Sequence, residues 1–348
     1  MQLTDMKYFS GTVITPDGPI EGYVLAEDGL IAEISEGVCP ETPVSKGFIM
    51  SPPVNGHTHC ADCGMTVPNN IGLNDLVGPG GLKHRYLSEA SKETLTKNIK
   101  EYSEKSYSNG IGTFIDFREG GVEGCKLLRN AVPDAVIMGR PVSDEYDPSE
   151  IDEILEVADG IGLSGINDMP LSYSESVAEH TKRKGKMFAI HASEGKREDI
   201  DDILALSPSF IVHMASAEKM DLIKCADEDV PIVICPRSNA FFGLNPPYAT
   251  MEEVGNRTIL GTDNAMLCSP DLREEAGRYL SVLASQGGTR KKFWETLVID
   301  GRKLLYDEKG IGLRPGMKAD ITVFPSKDGT VDGMFMGNER ILRFNMTK

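Results

Sequence analysis

"SPPVNGHTHCADCG", residues 51–64, follows an apolar run and carries two histidines one residue apart, His57 and His59. Side chains along a strand alternate faces, so residues i and i+2 point the same way. As a strand, this stretch aims two ring nitrogens at one point in space. That is half of a metal site, and the remaining half has to come from elsewhere in the chain.

The surrounding pattern recurs. From residue 50 onward, short apolar segments rich in β-branched residues are each followed by a helical stretch. The segments are "FIMSPPV" near 50, "GIGTFIDF" near 113, "AVIMGRPV" near 138 and "GIGLSGI" near 163. They continue with "MFAIHAS" near 190, "FIVHMAS" near 212, "PIVICPRSN" near 234 and "TILGTDNA" near 261. Helix-like pieces lie between them, among them "ETLTKNIKEYSEKSYSN", "SYSESVAEHTKRKG" and "DLREEAGRYLSVLASQ". Eight strand candidates, mostly about 20 to 27 residues apart, predict an α/β fold: a parallel (β/α)8 TIM barrel over residues 50–307. A doubly wound open sheet also alternates β and α, but no G-x-G-x-x-G opens a helix here. Residues 1–49 read as short strands broken by the turn signals "PDG" and "EDG", and residues 308–348 return to β. Head and tail are expected to form one small β-sandwich-like annex.

Composition narrows the partners. With 348 residues, 40% hydrophobic and 26% charged, the chain has ordinary globular composition. A net charge of -17 argues against nucleic acid, which needs clustered cations. A small-molecule substrate is expected instead. The N-terminal stretch lacks a basic region followed by an apolar one, and no apolar run approaches the roughly 18 residues of a membrane span. Seven scattered cysteines fit free thiols in a reducing cytoplasm.

The chemically loaded residues fall at strand ends: His57 and His59 on strand 1, His191 with Glu194 on strand 5, His213 on strand 6, Asp263 on strand 8. A barrel gathers those ends on one face, where barrel enzymes keep their active sites. One histidine ending a strand is more often a hydrogen-bonded core residue. Four of the six histidines placed so, with an aspartate, point to a metal. Imidazoles and a carboxylate suit a borderline divalent cation such as zinc or ferrous iron, which lowers the pKa of bound water towards neutrality and so provides hydroxide at pH 7.

"PPVNGHTHC", "HASE", "VHMAS", "CPRSN", "GTD" and "GLRPGMKADITVF" together resemble the amidohydrolase superfamily. They are most similar to its cytosine deaminase and chlorohydrolase-related branch, with the S-adenosylhomocysteine, methylthioadenosine and guanine deaminases. The resemblance implies one metal held by His57, His59, His191 and Asp263. Strand 4, "GIGLSGIND", lacks the lysine that bridges two metals in other members. It also implies catalytic roles. Glu194 protonates a ring nitrogen and shuttles a proton to the leaving group, Asp263 accepts the proton of the attacking water, and His213 steadies the hydroxide and the intermediate. The expected activity is deamination of an amino-substituted heterocycle. The alternatives are hydrolysis of another C–N or a C–halogen bond at the same centre, or an inactive scaffold. Such relatives are commonly dimers, so a homodimer is expected.

Further candidates lie on the same face. The glycine-rich segment "NNIGLNDLVGPGGLKHRYL" reads as a lid offering Lys83 and His84 to substrate, or as a plain surface loop. Arg118 follows strand 2, Arg140 follows strand 3, and Arg237 with Asn239 lies in the strand 7 turn. A guanidinium fork suits a carboxylate or phosphate; the alternative is an internal pair with acids such as Glu119 or Asp144. His180, in "AEHTKRKG", is expected on the solvated surface.

Overall fold

The computed structural model describes residues 6–336 and 339–345. Among them are two sheets. The larger is built from β5 (Val54–His59), β6 (Thr113–Arg118), β7 (Val136–Gly139), β8 (Gly160–Leu163), β9 (Met187–Ala192), β10 (Phe210–His213), β11 (Ile232–Ile234), β12 (Thr258–Leu260) and β13 (Asp263–Asn264). From β5 to β12 each strand pairs in parallel with the next in sequence, and β13 pairs in parallel with β5. The sheet thus curls back onto its first strand, consistent with the expected barrel.

The closing strand comes in two pieces. β12 bonds to β11, the chain jogs at Gly261 and Thr262, and β13 bonds to β5. Gly261 donates to the Ile234 carbonyl and Thr262 to that of His57, bridging the seam. A Cβ on Gly261 would lie 3.0 Å from His57 Cβ and backbone nitrogen, so only glycine passes there.

The smaller sheet holds β1 (Lys7–Thr15), β2 (Gly18–Glu27), β3 (Leu30–Glu36), β4 (Ser45–Met50), β14 (Asp320–Pro325) and β15 (Leu342–Asn345), in the order β15-β14-β4-β1-β2-β3. Asp28 and Gly29, at φ 47° and 83°, make the tight turn between β2 and β3. Head and tail do share one sheet. It is a single sheet rolled upon itself rather than two facing layers: Ile31 on the far edge donates to Met317 and accepts from Gly316, just before β14. Phe9, Val13, Val24, Ile31, Ile321 and Val323 fill the roll.

Two local expectations are corrected. "FIMSPPV" is split, since Phe48–Met50 pair within the annex and the large sheet starts only at Val54. Pro52 and Pro53, without N–H groups, cannot continue a ladder. In the tail, Val331–Met336 is helical between β14 and β15.

Candidate metal centre and catalytic cavity

The strand ends do converge. His57 Nε2 lies 3.3 Å from Asp263 Oδ1 and 3.2 Å from His191 Nε2, and His59 Nε2 lies 3.6 Å from the same Asp263 oxygen. His213 stacks against His191 with ring centroids 5.3 Å apart, and its Nε2 is 3.6 Å from Glu194 Oε1. His57, His59, His213 and Asp263 are buried, and Phe117 packs edge-on beneath His57 and His191.

Tautomers follow from what holds each ring. His59 Nδ1 donates to the Phe117 carbonyl at 3.1 Å, and His191 Nδ1 to the Leu163 carbonyl at 2.8 Å. Nδ1 of each ring therefore carries a proton, and Nε2 is the nitrogen turned into the cluster. His213 is the opposite case. Its Nδ1 faces the Asn239 amide nitrogen at 3.4 Å, so its proton sits on Nε2, towards Glu194. Two rings are held through Nδ1, and the third offers a donor from Nε2.

Electrostatics agree. Burial pushes His57 and His213 down to about 4 and His191 well below its ordinary value, so all three are neutral at pH 7. Burial alone would raise Asp263, but hydrogen bonding to His57 and the surrounding imidazoles outweigh it and hold the carboxyl well below its usual range. Ser238 Oγ, at 2.5 Å, and Asn264 fix its two oxygens. Glu194 moves the other way, to about 8, through burial and then the charge of Asp263. Ser193, His213, Met214 and Asp263 have φ of 48°, 80°, 53° and 58°, so backbone strain gathers around this cluster.

The donor set fits a divalent cation. Ligand atoms of His57, His59 and Asp263, of His57, His191 and His213, and of Glu194, His213 and Asp263 lie within 4.8 Å of one another in each group. Neutral imidazoles with one ionised carboxylate are zinc-type donors. Around them, Glu119 Oε1 lies 2.8 Å from His59 Nδ1 and 2.6 Å from Lys83 Nζ. Burial would raise Glu119, but Lys83 and His59 prevail and hold it well below the carboxylate range.

Above this floor opens a cavity of about 750 Å³, bounded by His191, Glu194 and Asp263 below and by the helices Leu73–Val77 and Leu82–Glu89 at one side. The expected substrate contacts part company here. Lys83 and Arg140 line the cavity. Lys83 is buried and paired to Glu119, and the half-buried His84 lies beside it outside the lining. Arg118 is buried and held by Glu119 at 3.0 Å and Asp116 at 3.7 Å, away from the cavity wall. Arg237 is turned to Glu274, Glu275 and the Ser269 carbonyl. Asn239 supports His213 and does not line the cavity. His180, expected in solvent, is buried between Tyr146 Oη at 2.9 Å and Asp152 at 2.8 Å. Ser238 and Ser164 were not singled out by sequence, though Ser238 stands within the quoted "CPRSN".

No protein-family model matches the chain. A protein of Archaeoglobus fulgidus, provisionally named an aminohydrolase, is 35% identical over 274 residues, covering 78% of either chain. Among solved structures, a zinc-bound adenosine deaminase from Xanthomonas campestris superposes with TM-score 0.76 at 12% identity, over 98% of this chain and 91% of that one. A zinc complex of atrazine chlorohydrolase from Arthrobacter aurescens gives TM-score 0.73 at 14% identity, over 96% and 92%.

The fold is that of these two zinc-bound structures, and the histidine–aspartate cluster supplies donors for a divalent ion. The chain belongs to the aminohydrolase family of its archaeal relative, enzymes that act on C–N bonds. No helix among the described residues is long and apolar enough to cross a membrane.

Proposed function

We propose that this protein deaminates an amino-substituted heterocycle, a nucleobase, nucleoside or related compound. One observation carries the reading: the Glu194 carboxyl stands in the cavity beside His213 Nε2–H and above the imidazole–Asp263 cluster. Displacing ammonia from an amidine-like carbon requires an acid for the ring nitrogen, a base for the attacking water and a donor for the developing charge.

His57, His59, His191 and Asp263 would hold one divalent ion, zinc in our reading, with His213 and Glu194 left for chemistry. When bound, the ion supplies Lewis acidity and a nucleophile from water at neutral pH. Glu194 protonates the ring nitrogen, so that the amino-bearing carbon becomes electrophilic. Asp263 takes the proton released as the water oxygen bonds to that carbon. His213 donates from Nε2 to the new oxygen. Glu194, ionised by that transfer, takes the proton of the newly added hydroxyl and passes it to the amino group; the C–N bond breaks as the carbonyl forms, ammonia leaves, and the proton held by Asp263 restores Glu194.

The test is ammonia release by the metal-loaded protein across purine, pyrimidine and pterin substrates. Release from at least one, lost in Glu194→Gln, is expected. No release from any, with amide or halide hydrolysis instead, moves the assignment to another bond at the same centre. A protein without stoichiometric divalent ion would be a scaffold.

A further inference from the structure

Of the three arginines expected at the rim, two are neutralised internally and one is not. Arg118 and Arg237 are each held by two carboxylates. Arg140 sits on the cavity wall with no carboxylate within ion-pairing distance among the described residues. Its one side-chain bond runs from Nη2 to Ser164 Oγ at 3.0 Å. Its backbone is pinned on both sides, donating to the Arg118 carbonyl and accepting from Gly121. A half-buried guanidinium thus stands at a fixed place with Nε and Nη1 unpaired, in a chain of net charge -17.

The neighbourhood does not compensate it. Lys196, on the same cavity wall, is exposed and likewise has no ion pair among the described residues. Burial, then the charges of Arg140 and Lys83, pushes the nearby His84 below its ordinary pKa. Glu198, the buried acid on this wall, is engaged by the Ser193 and Asn167 backbone N–H groups at 2.8 and 3.1 Å. Asp168 is exposed. The lining also includes the apolar side chains of Leu73, Val77, Phe242 and Leu244, which suit a ring face, and the exposed Asp75, which forms no ion pair with Arg140. Ser164 follows β8, where no lysine stands to bridge a second metal, and its hydroxyl instead braces the arginine.

We propose that Arg140, braced by Ser164, binds an oxyanion carried by the substrate, so that the heterocycle is a phosphorylated or carboxylated one. The reacting ring rests on the deaminase reading; the anion site does not. A planar fork takes either oxyanion in two parallel N–H···O bonds.

Binding calorimetry on the metal-loaded protein with two matched pairs tests this: adenosine against adenosine 5′-monophosphate, and pterin against pterin-6-carboxylate. The anionic member of at least one pair should bind about tenfold or more tightly than its neutral partner. The pair that responds tells phosphate from carboxylate. Arg140→Met should erase the preference, and Arg140→Lys should keep only part of it, with metal content and Tm reported for each. If Arg140→Met does not fold, Ser164→Ala carries the test, and a preference unmoved by it overturns the proposal. Equal binding within both pairs, or a preference that survives Arg140→Met, also overturns it. A charge preference without ammonia release would sink the deaminase reading alone, whereas turnover indifferent to charge would sink the anion site alone.

Discussion

On the floor of the cavity, key side chains are fixed through one atom and open through another. Carbonyls of Phe117 and Leu163 hold the far nitrogens of His59 and His191, leaving the near nitrogens aimed inward. Around the cavity, charged groups mostly consume one another: Lys83 on its wall takes Glu119, while behind it Arg118 takes Glu119 and Asp116, and Arg237 takes Glu274 and Glu275. A site is thus recognised by capacity left over after internal pairing, not by the presence of reactive residue types. His180 makes the same point. It is as buried as His59, yet Tyr146 and Asp152 engage both its nitrogens, so nothing remains for a ligand.

The severest test of this contrast is His191→Ala. It should abolish both stoichiometric metal and activity, as read by elemental analysis and ammonia release, and chelation of the wild-type protein should match it. Glu194→Gln comes next. It should keep the metal and lower kcat by about 10²- to 10⁴-fold, the usual range for a lost general acid–base group. Glu119→Gln probes the junction of floor and wall. With His59 less firmly oriented, metal affinity should fall by about 10- to 100-fold in a chelator competition. The smallest effect falls on the satisfied histidine. His180→Ala should cost about 1–3 kcal/mol in denaturant unfolding, because it strands buried polar partners. Metal content and kcat should stay unchanged; a loss of metal there would break the distinction.

The floor was legible because strand alternation and the barrel's geometry act on any residue at a strand end. "HTH", "HAS", "VHMAS" and "GTD" each place a side chain by local rules, and closure of the sheet does the rest. The wall was not, since whether Arg118 meets a substrate or Asp116 depends on side-chain directions that strand periodicity does not encode. His180 was misplaced for a related reason: its basic neighbours mark a solvated helix face, but the ring turns inward to Tyr146. The annex was legible as a shared sheet, while its rolling depends on bonds between Ile31 and the loop before β14. The proline pair was visible and signals a break, which separated β4 from β5.

The seam at Gly261 and Thr262 has a consequence for assembly. Thr262 bonds to Asn55, 207 positions away, and the carboxylate beside it faces the imidazole of His57 on β5, the first strand of the large sheet. The full ligand set cannot exist on a partly made chain, because Asp263 meets His57 and His59 only when the ring shuts. A cation that binds the finished molecule therefore acts as a latch: at about a thousand times its Kd it adds about 4 kcal/mol against opening. Nicking or loosening the final turn of the ring should release the ion long before the remaining helices and strands melt.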